Sequence, residues 1–156
     1  MSRILITGAG SGIGRATAFA LAKRGHQVLA TCRTAPQAAD VAGEARAQHV
    51  VLETGTLDIT HPDDRALIAT FDPEILIANA AVGESGPLSE MPLDRVVRLF
   101  ETNVVATLAC VQEAAKGMAK RKAGRMIITS SLAGRLAIPY MGAYSMTKHA
   151  VEAMGD

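Results

Sequence analysis

Apolar and polar positions along the chain fall into short runs whose period keeps changing between strand-like and helix-like. Ile4-Leu5-Ile6 is a brief apolar run closed by Thr7-Gly8, the pattern of a buried strand. Residues 13 to 24 carry helix formers, with Ile13, Thr17, Ala20, Leu21 and Arg24 at helical spacing and Gly25 as the stop. Val28-Leu29-Ala30-Thr31 predicts a second strand, 36–47 an alanine-rich helix, and His49-Val50-Val51-Leu52-Glu53 a third strand. Thr60, followed by Pro62 and Asp63, predicts the opening of another helix. Ile75-Leu76-Ile77-Ala78 reads as strand four, and Gly83, Gly86 and Pro87 mark a loop. A long helix is predicted over 92–119, with Val97, Phe100, Val104, Leu108, Val111, Ala115 and Met118 as one apolar stripe. Val96, Leu99, Thr107, Cys110 and Ala114 give it a second mostly unpolar side, so it is expected to lie between its own sheet and something else. Gly124 introduces strand five, Met126-Ile127-Ile128-Thr129, and a sixth helix starts near 142.

Strands apolar on both faces, alternating with helices, predict an α/β fold with a parallel sheet covered on both sides. Right-handed crossovers make the doubly wound, Rossmann-like sheet of order 3-2-1-4-5 the simplest topology. A chain of 156 residues is expected to form one domain over 1–156.

Composition narrows the function. Half the residues are apolar and one fifth charged, and 16 Lys plus Arg against 15 Asp plus Glu give a net charge of +1. No basic footprint for nucleic acid is present. The Lys120-Arg121-Lys122 run falls where the long helix ends and reads as a solvated helix terminus. Cys32 and Cys110, far apart, form neither a disulfide framework nor a metal-ligand spacing. No apolar stretch approaches the roughly 20 residues that span a bilayer, and the N-terminus does not read as a signal peptide. The expectation is a soluble cytoplasmic protein with neither nucleic acid nor membrane as partner.

The chemistry begins in the turn after strand one, Thr7-Gly8-Ala9-Gly10-Ser11-Gly12-Ile13-Gly14. Glycines between strand and helix let a pyrophosphate approach the helix N-terminus, where free N–H groups and the dipole attract anions. The spacing is T-G-x-x-x-G-x-G and not G-x-G-x-x-G. A dinucleotide is the natural ligand; the plainer alternative is a tight strand-to-helix connection.

Here the sequence resembles the short-chain dehydrogenase/reductase family, whose glycine motif is matched by Thr7, Gly8, Gly12, Ile13 and Gly14, with Ser11 inside it. Leu57-Asp58-Ile59 is similar to the segment whose Asp meets the adenine. Asn79-Ala80 stands where the family has Asn-Asn-Ala-Gly, with Ala78 and Ala81 replacing the outer residues. Asn103 matches the family's helical Asn, Ser130-Ser131 ends strand five, and Tyr144-Ser145-Met146-Thr147-Lys148 matches Tyr-x-x-x-Lys. The resemblance implies that Tyr144 is the acid/base and that Lys148 also holds the nicotinamide ribose. It further implies that Ser131 orients the substrate oxygen and Asn103 supports a water in the proton path, with Gly8, Ser11, Gly12, Ile13, Gly14, Asp58, Asn79 and Ala80 around the cofactor.

Independently of the family, Tyr and Lys four residues apart share a helical face. A free phenol titrates near pH ~10, and a neighbouring cation favours the phenolate. Taken singly, each residue has a plainer reading: a packed phenol beside a solvated amine, a serine turn, an asparagine satisfying a carbonyl, an aspartate capping the next segment.

Cofactor choice follows from the end of strand two. NAD sites place an acidic residue about 20 positions past the glycines, whereas an Arg accommodates the 2′-phosphate. Here Arg33 follows Cys32 and no carboxylate occurs until Asp40, which predicts NADP(H) over NAD(H), with Arg15 or Thr34 as further phosphate neighbours. The alternative for Arg33 is a solvated loop cation.

Relatives of this kind continue beyond the Tyr-Lys helix into two further strands and a substrate lid, so the resemblance predicts a longer polypeptide. Without those strands, strand five is an apolar edge. Two functions are compatible with the residues. One is an NADP-dependent oxidoreductase acting on a small carbonyl or secondary alcohol bordered by 83–88 and 132–141. The other is a catalytically incompetent nucleotide-binding fragment or interaction module. The two-sided helix, with the family resemblance, predicts a homodimer or homotetramer.

Overall fold

The computed structural model describes residues 1–156. Five strands, β1 (Arg3–Ile6), β2 (Gln27–Cys32), β3 (Glu53–Thr56), β4 (Ile75–Ala78) and β5 (Arg125–Ile128), form one sheet of order β3-β2-β1-β4-β5. Every pairing is parallel, with Leu5 opposite Leu29 on one side and Leu76 on the other. The helices are α1 (Gly12–Lys23), α2 (Ala35–Ala47), the short α3 (Ala66–Phe71), α4 (Leu93–Phe100), α5 (Thr107–Arg121) and α6 (Gly142–Gly155). This is the expected doubly wound α/β fold.

Side chains alternate across the central strands and build a core on each face. Ile4, Ile6, Val28 and Ala30 pack with Ala18 and Phe19 of α1 and Val41 and Ala45 of α2. Leu5, Leu29, Leu76 and Ala78 pack with Ile68 of α3 and Cys110, Ala114 and Met118 of α5. The buried face of α1 is thus Gly14, Ala18 and Phe19, not the face of Ile13, whose side chain is exposed.

Three expectations need correction. Strand three starts at Glu53, not His49. The run before it closes α2: Val50 N–H donates to the Ala45 carbonyl at 2.9 Å, His49 adopts φ 54°, and Val51 stays in solvent. Thr60 does not open a helix, because its N–H and hydroxyl both bond the Asp58 carboxylate, and α3 begins only at Ala66. The long helix is not one α-helix: a π-helical turn, Glu101–Ala106, divides α4 from α5 and rephases the residues after it. The core side is consequently Leu99, Asn103, Ala106, Cys110, Ala114 and Met118, whereas Val97, Val105 and Leu108 are exposed.

The basic run at the end of α5 is more than a solvated terminus. Arg121 pairs with Asp72 and donates to the Pro73 carbonyl at 2.7 Å, and Lys122 takes the left-handed C-terminal position. β5 pairs only with β4, leaving its outer edge open, and Ile127 is exposed. No helix is long and apolar enough to cross a membrane.

Candidate active site

In an open parallel sheet the loops leaving adjacent strands diverge where the strand order reverses, which opens a crevice at their carboxyl ends. Here β1 lies between β2 and β4, and a cleft of about 880 Å³ opens there. Gly8, Ser11, Gly12, Ile13, Arg33, Asp58, Asn79, Ala80, Ser131, Tyr144 and Lys148 all line it. Of the expected site residues only Gly14 and Asn103 lie behind its wall.

The floor is built by close backbone approach. Gly8 has φ +68°, and a Cβ there would stand 2.7 Å from the Ala80 Cα. Gly14 lies in the first turn of α1, where a Cβ would meet both the Asn79 amide nitrogen and the Gly8 carbonyl oxygen at 2.5 Å. The Thr7 hydroxyl accepts from Asn79 N–H and Ala80 N–H, each at 3.0 Å, and Asn79 Nδ2 donates to the carbonyls of Thr7 and Gly8 at 3.1 and 3.2 Å. Thr7 thus stitches the end of β1 to the end of β4. Sequence reasoning matched it as part of the motif but gave it no role; its burial beside two strand ends is visible only in three dimensions.

Ser11 is the N-cap of α1 but its side chain makes no capping bond, and the first turn holds no carboxylate. The leading N–H groups of the helix are therefore open to an anion. At the outer end, Arg33 lines the cleft; Arg15 and Thr34 do not. Arg15 is held by Asp40 at 3.1 Å and by Glu44, and Thr34 caps α2 through Gln37 N–H. Both are committed elsewhere, which corrects the expectation that they flank the phosphate. Gln37 instead leans over Gly10 and joins the lining, a contact without a sequence signal.

Burial opposes ionisation of Asp58, but hydrogen bonds from the Thr60 hydroxyl and N–H, with His61 and Arg33, hold its carboxyl below the usual range. Asp58 is a charged lining group whose Oδ1 is occupied by Thr60 at 2.7 and 3.0 Å.

At the inner end, α6 presents Tyr144 and Lys148 to the cleft. Lys148 is buried, its Nζ donates to the Thr129 carbonyl at 2.8 Å, and it stands 5.8 Å from the centroid of the Tyr144 ring. Burial pushes its ammonium below the ordinary lysine value. Ser131 follows β5 and caps a 3₁₀ turn, Leu132–Gly134, by accepting from Ala133 N–H at 3.2 Å. Asn103 sits in the π turn, 1% exposed, with its side chain on Val82 and Thr147 and not in the cleft. The loops around 83–88 and 132–141 meet through Gly86 N–H and the Tyr140 carbonyl at 2.7 Å. Arg98, Glu101 and Thr102 also line the cleft, which the apolar-stripe reading of this helix had not shown.

A sequence model described as short chain dehydrogenase matches residues 2–156. The chain is 37% identical over 150 residues to an uncharacterized oxidoreductase of Myxococcus xanthus (strain DK1622), covering 92% of this chain and 59% of that protein. It is similar to the crystal structure of a short-chain type dehydrogenase/reductase from Mycobacterium marinum, with TM-score 0.90 and 30% identity over 97% of this chain and 65% of that one. It is also similar to a gluconate 5-dehydrogenase from Burkholderia cenocepacia J2315 in complex with NADP and tartrate, with TM-score 0.89 and 30% identity over 97% and 62% of the two chains. The chain thus spans about 60% of the length of these relatives. With the family model matching nearly the whole chain, this chain belongs to the short chain dehydrogenase family.

Proposed function

We propose that the protein carrying this chain is an NADP(H)-dependent oxidoreductase that interconverts a carbonyl and a secondary alcohol on a small molecule. The observation that carries this reading is that Tyr144 and its buried neighbour Lys148 line the same cleft as Gly8, Gly10, Ser11, Gly12 and Ile13.

The residues present fit a dinucleotide. The cradle left by Gly8 and Gly14 brings backbone against backbone, and the uncapped first turn of α1 directs N–H groups outward. Gly8, Ser11, Gly12 and Ile13 would hold the pyrophosphate, Asp58 the adenine end, and Asn79 with Ala80 the stretch toward the nicotinamide. When bound, the nicotinamide supplies the hydride chemistry. Arg33, just past the end of β2, with no carboxylate following it in the sequence until Asp40, itself tied to Arg15, supports a 2′-phosphate and hence NADP(H).

On the protein side, Lys148 is anchored by Thr129 through one of its three N–H bonds, leaving two to meet the ribose and the phenol side of the cleft. Tyr144 exchanges a proton with the substrate oxygen, and Ser131 orients that oxygen. Asn103 acts from behind the wall, by holding backbone. The exposed row Val97, Val105 and Leu108 supports pairing with a second copy of the chain. The two free, buried cysteines suit a reducing cytoplasm. NADPH oxidation with a panel of aldehydes and ketones tests the proposal: carbonyl-dependent turnover is expected, and its absence with every acceptor would leave only a nucleotide-binding module.

A further inference from the structure

Asn103 is saturated within the protein. Its Oδ1 accepts from Val82 N–H at 2.8 Å, and its Nδ2 donates to the Val82 carbonyl at 2.8 Å and to the Thr147 hydroxyl at 3.1 Å. The direction of the last bond is fixed by chemistry, since an amide nitrogen only donates. The Thr147 hydroxyl therefore spends its own proton elsewhere, on the Tyr144 carbonyl at 2.7 Å. The result is a directed chain, Asn103 N–H to Thr147 O–H to Tyr144 C=O, in which each bond polarises the next. Its two side-chain members are dry: Asn103 is 1% and Thr147 0% exposed.

A threonine bonding back to the carbonyl three residues earlier is common in helices and by itself means little. What is particular here is the second partner. The hydroxyl joins α6 to the π turn, and Asn103 joins the π turn to the loop that leaves β4, so two side chains link three segments. The two residues of α6 that line the cleft are its immediate neighbours: Lys148 is next in sequence and Tyr144 supplies the accepting carbonyl.

From this chain we infer that Thr147 is a positioning residue for the Tyr144–Lys148 pair. The inference rests on the oxidoreductase reading above and extends it to a residue that does not line the cleft. Thr147 sets the depth and rotation of the first turns of α6 relative to the cofactor floor, and Asn103 reaches the reacting groups through it.

Removing the hydroxyl while keeping the shape, Thr147→Val, leaves Asn103 with one amide proton unmatched in a dry site and frees α6 to shift. A misplacement of reacting groups by a fraction of an ångström to about 1 Å costs on the order of ten- to a hundredfold in rate. The expected result is a kcat for carbonyl reduction lower by about that factor, with the NADPH dissociation constant changed by much less than that factor, because the glycine cradle is untouched and only the Lys148 contact to the ribose moves with α6. Thr147→Ser, which keeps both bonds, is expected within about threefold of the parent kcat. Should Thr147→Val fail to fold, Thr147→Cys is compared with Thr147→Ser: the weaker thiol is expected to turn over about tenfold more slowly. A Val or Cys variant equal to the Ser variant in kcat overturns the inference, as does a kcat that falls only in step with lost NADPH binding. A parent protein inactive on every carbonyl removes the oxidoreductase reading and this role together, whereas an active parent with an indifferent Thr147 removes this role alone.

Discussion

Gly14 in the first turn of α1 lies so close to Asn79 at the end of β4 that a Cβ would stand 2.5 Å from the Asn79 amide nitrogen. That distance couples the first crossover to the neighbouring strand. It explains how a glycine absent from the cleft lining still shapes the cleft, because Asn79 reaches past it to the carbonyls of Thr7 and Gly8.

Gly14→Ala is therefore expected to force α1 away from β4. Overpacking of this kind costs about 1–3 kcal/mol, and here it also displaces the groups that would hold the pyrophosphate. Urea unfolding should show the loss of stability, and titration should show weakened NADPH binding in the folded variant. Unchanged values for both would mean that the turn relaxes freely.

Arg33 lines the outer cleft alone among the three basic or polar candidates for the 2′-phosphate, since Arg15 and Thr34 are engaged with α2. Arg33→Asp should weaken NADPH by at least about tenfold relative to NADH, the size of one lost charge-assisted contact. Equal losses for the two nucleotides would locate the phosphate elsewhere.

Burial pushes the Cys110 thiol up to about 12. Its folded value is thus raised above the unfolded one, so the stabilising contribution is complete below the unfolded thiol's value of about 8.5 and is lost as pH rises toward 12. Denaturation at about pH 8 and about pH 10 should show the parent losing about 1.4 kcal/mol more per unit above 8.5 than Cys110→Ala. Parallel slopes for parent and variant would show that the thiol is not shielded.

Much of this was legible in the sequence, for identifiable reasons. Gly8 and Gly12 occupy positive φ and Gly14 a site with no room for Cβ, constraints that leave glycine in the chain as their trace. Tyr144 and Lys148 share a helix face whatever surrounds them. The third strand was misread because an apolar run such as Val50-Val51-Leu52 serves a helix end as well as a sheet. The π turn left no trace in composition, so the face on which Asn103 sits could not be phased from the stripe. Thr7 and Thr147 were passed over as actors because a single hydroxyl acquires its meaning only from the partners that folding brings to it.

The central claim is that the phenol of Tyr144 moves the proton that accompanies hydride transfer in this cleft. Its most direct test is a paired measurement on Tyr144→Phe: NADPH affinity by fluorescence titration and carbonyl-dependent NADPH oxidation on the same preparation. Loss of a positioned acid/base predicts turnover lower by about 10²–10⁴-fold with affinity within about threefold of the parent. Turnover in the phenylalanine variant equal to that of the parent would contradict the account.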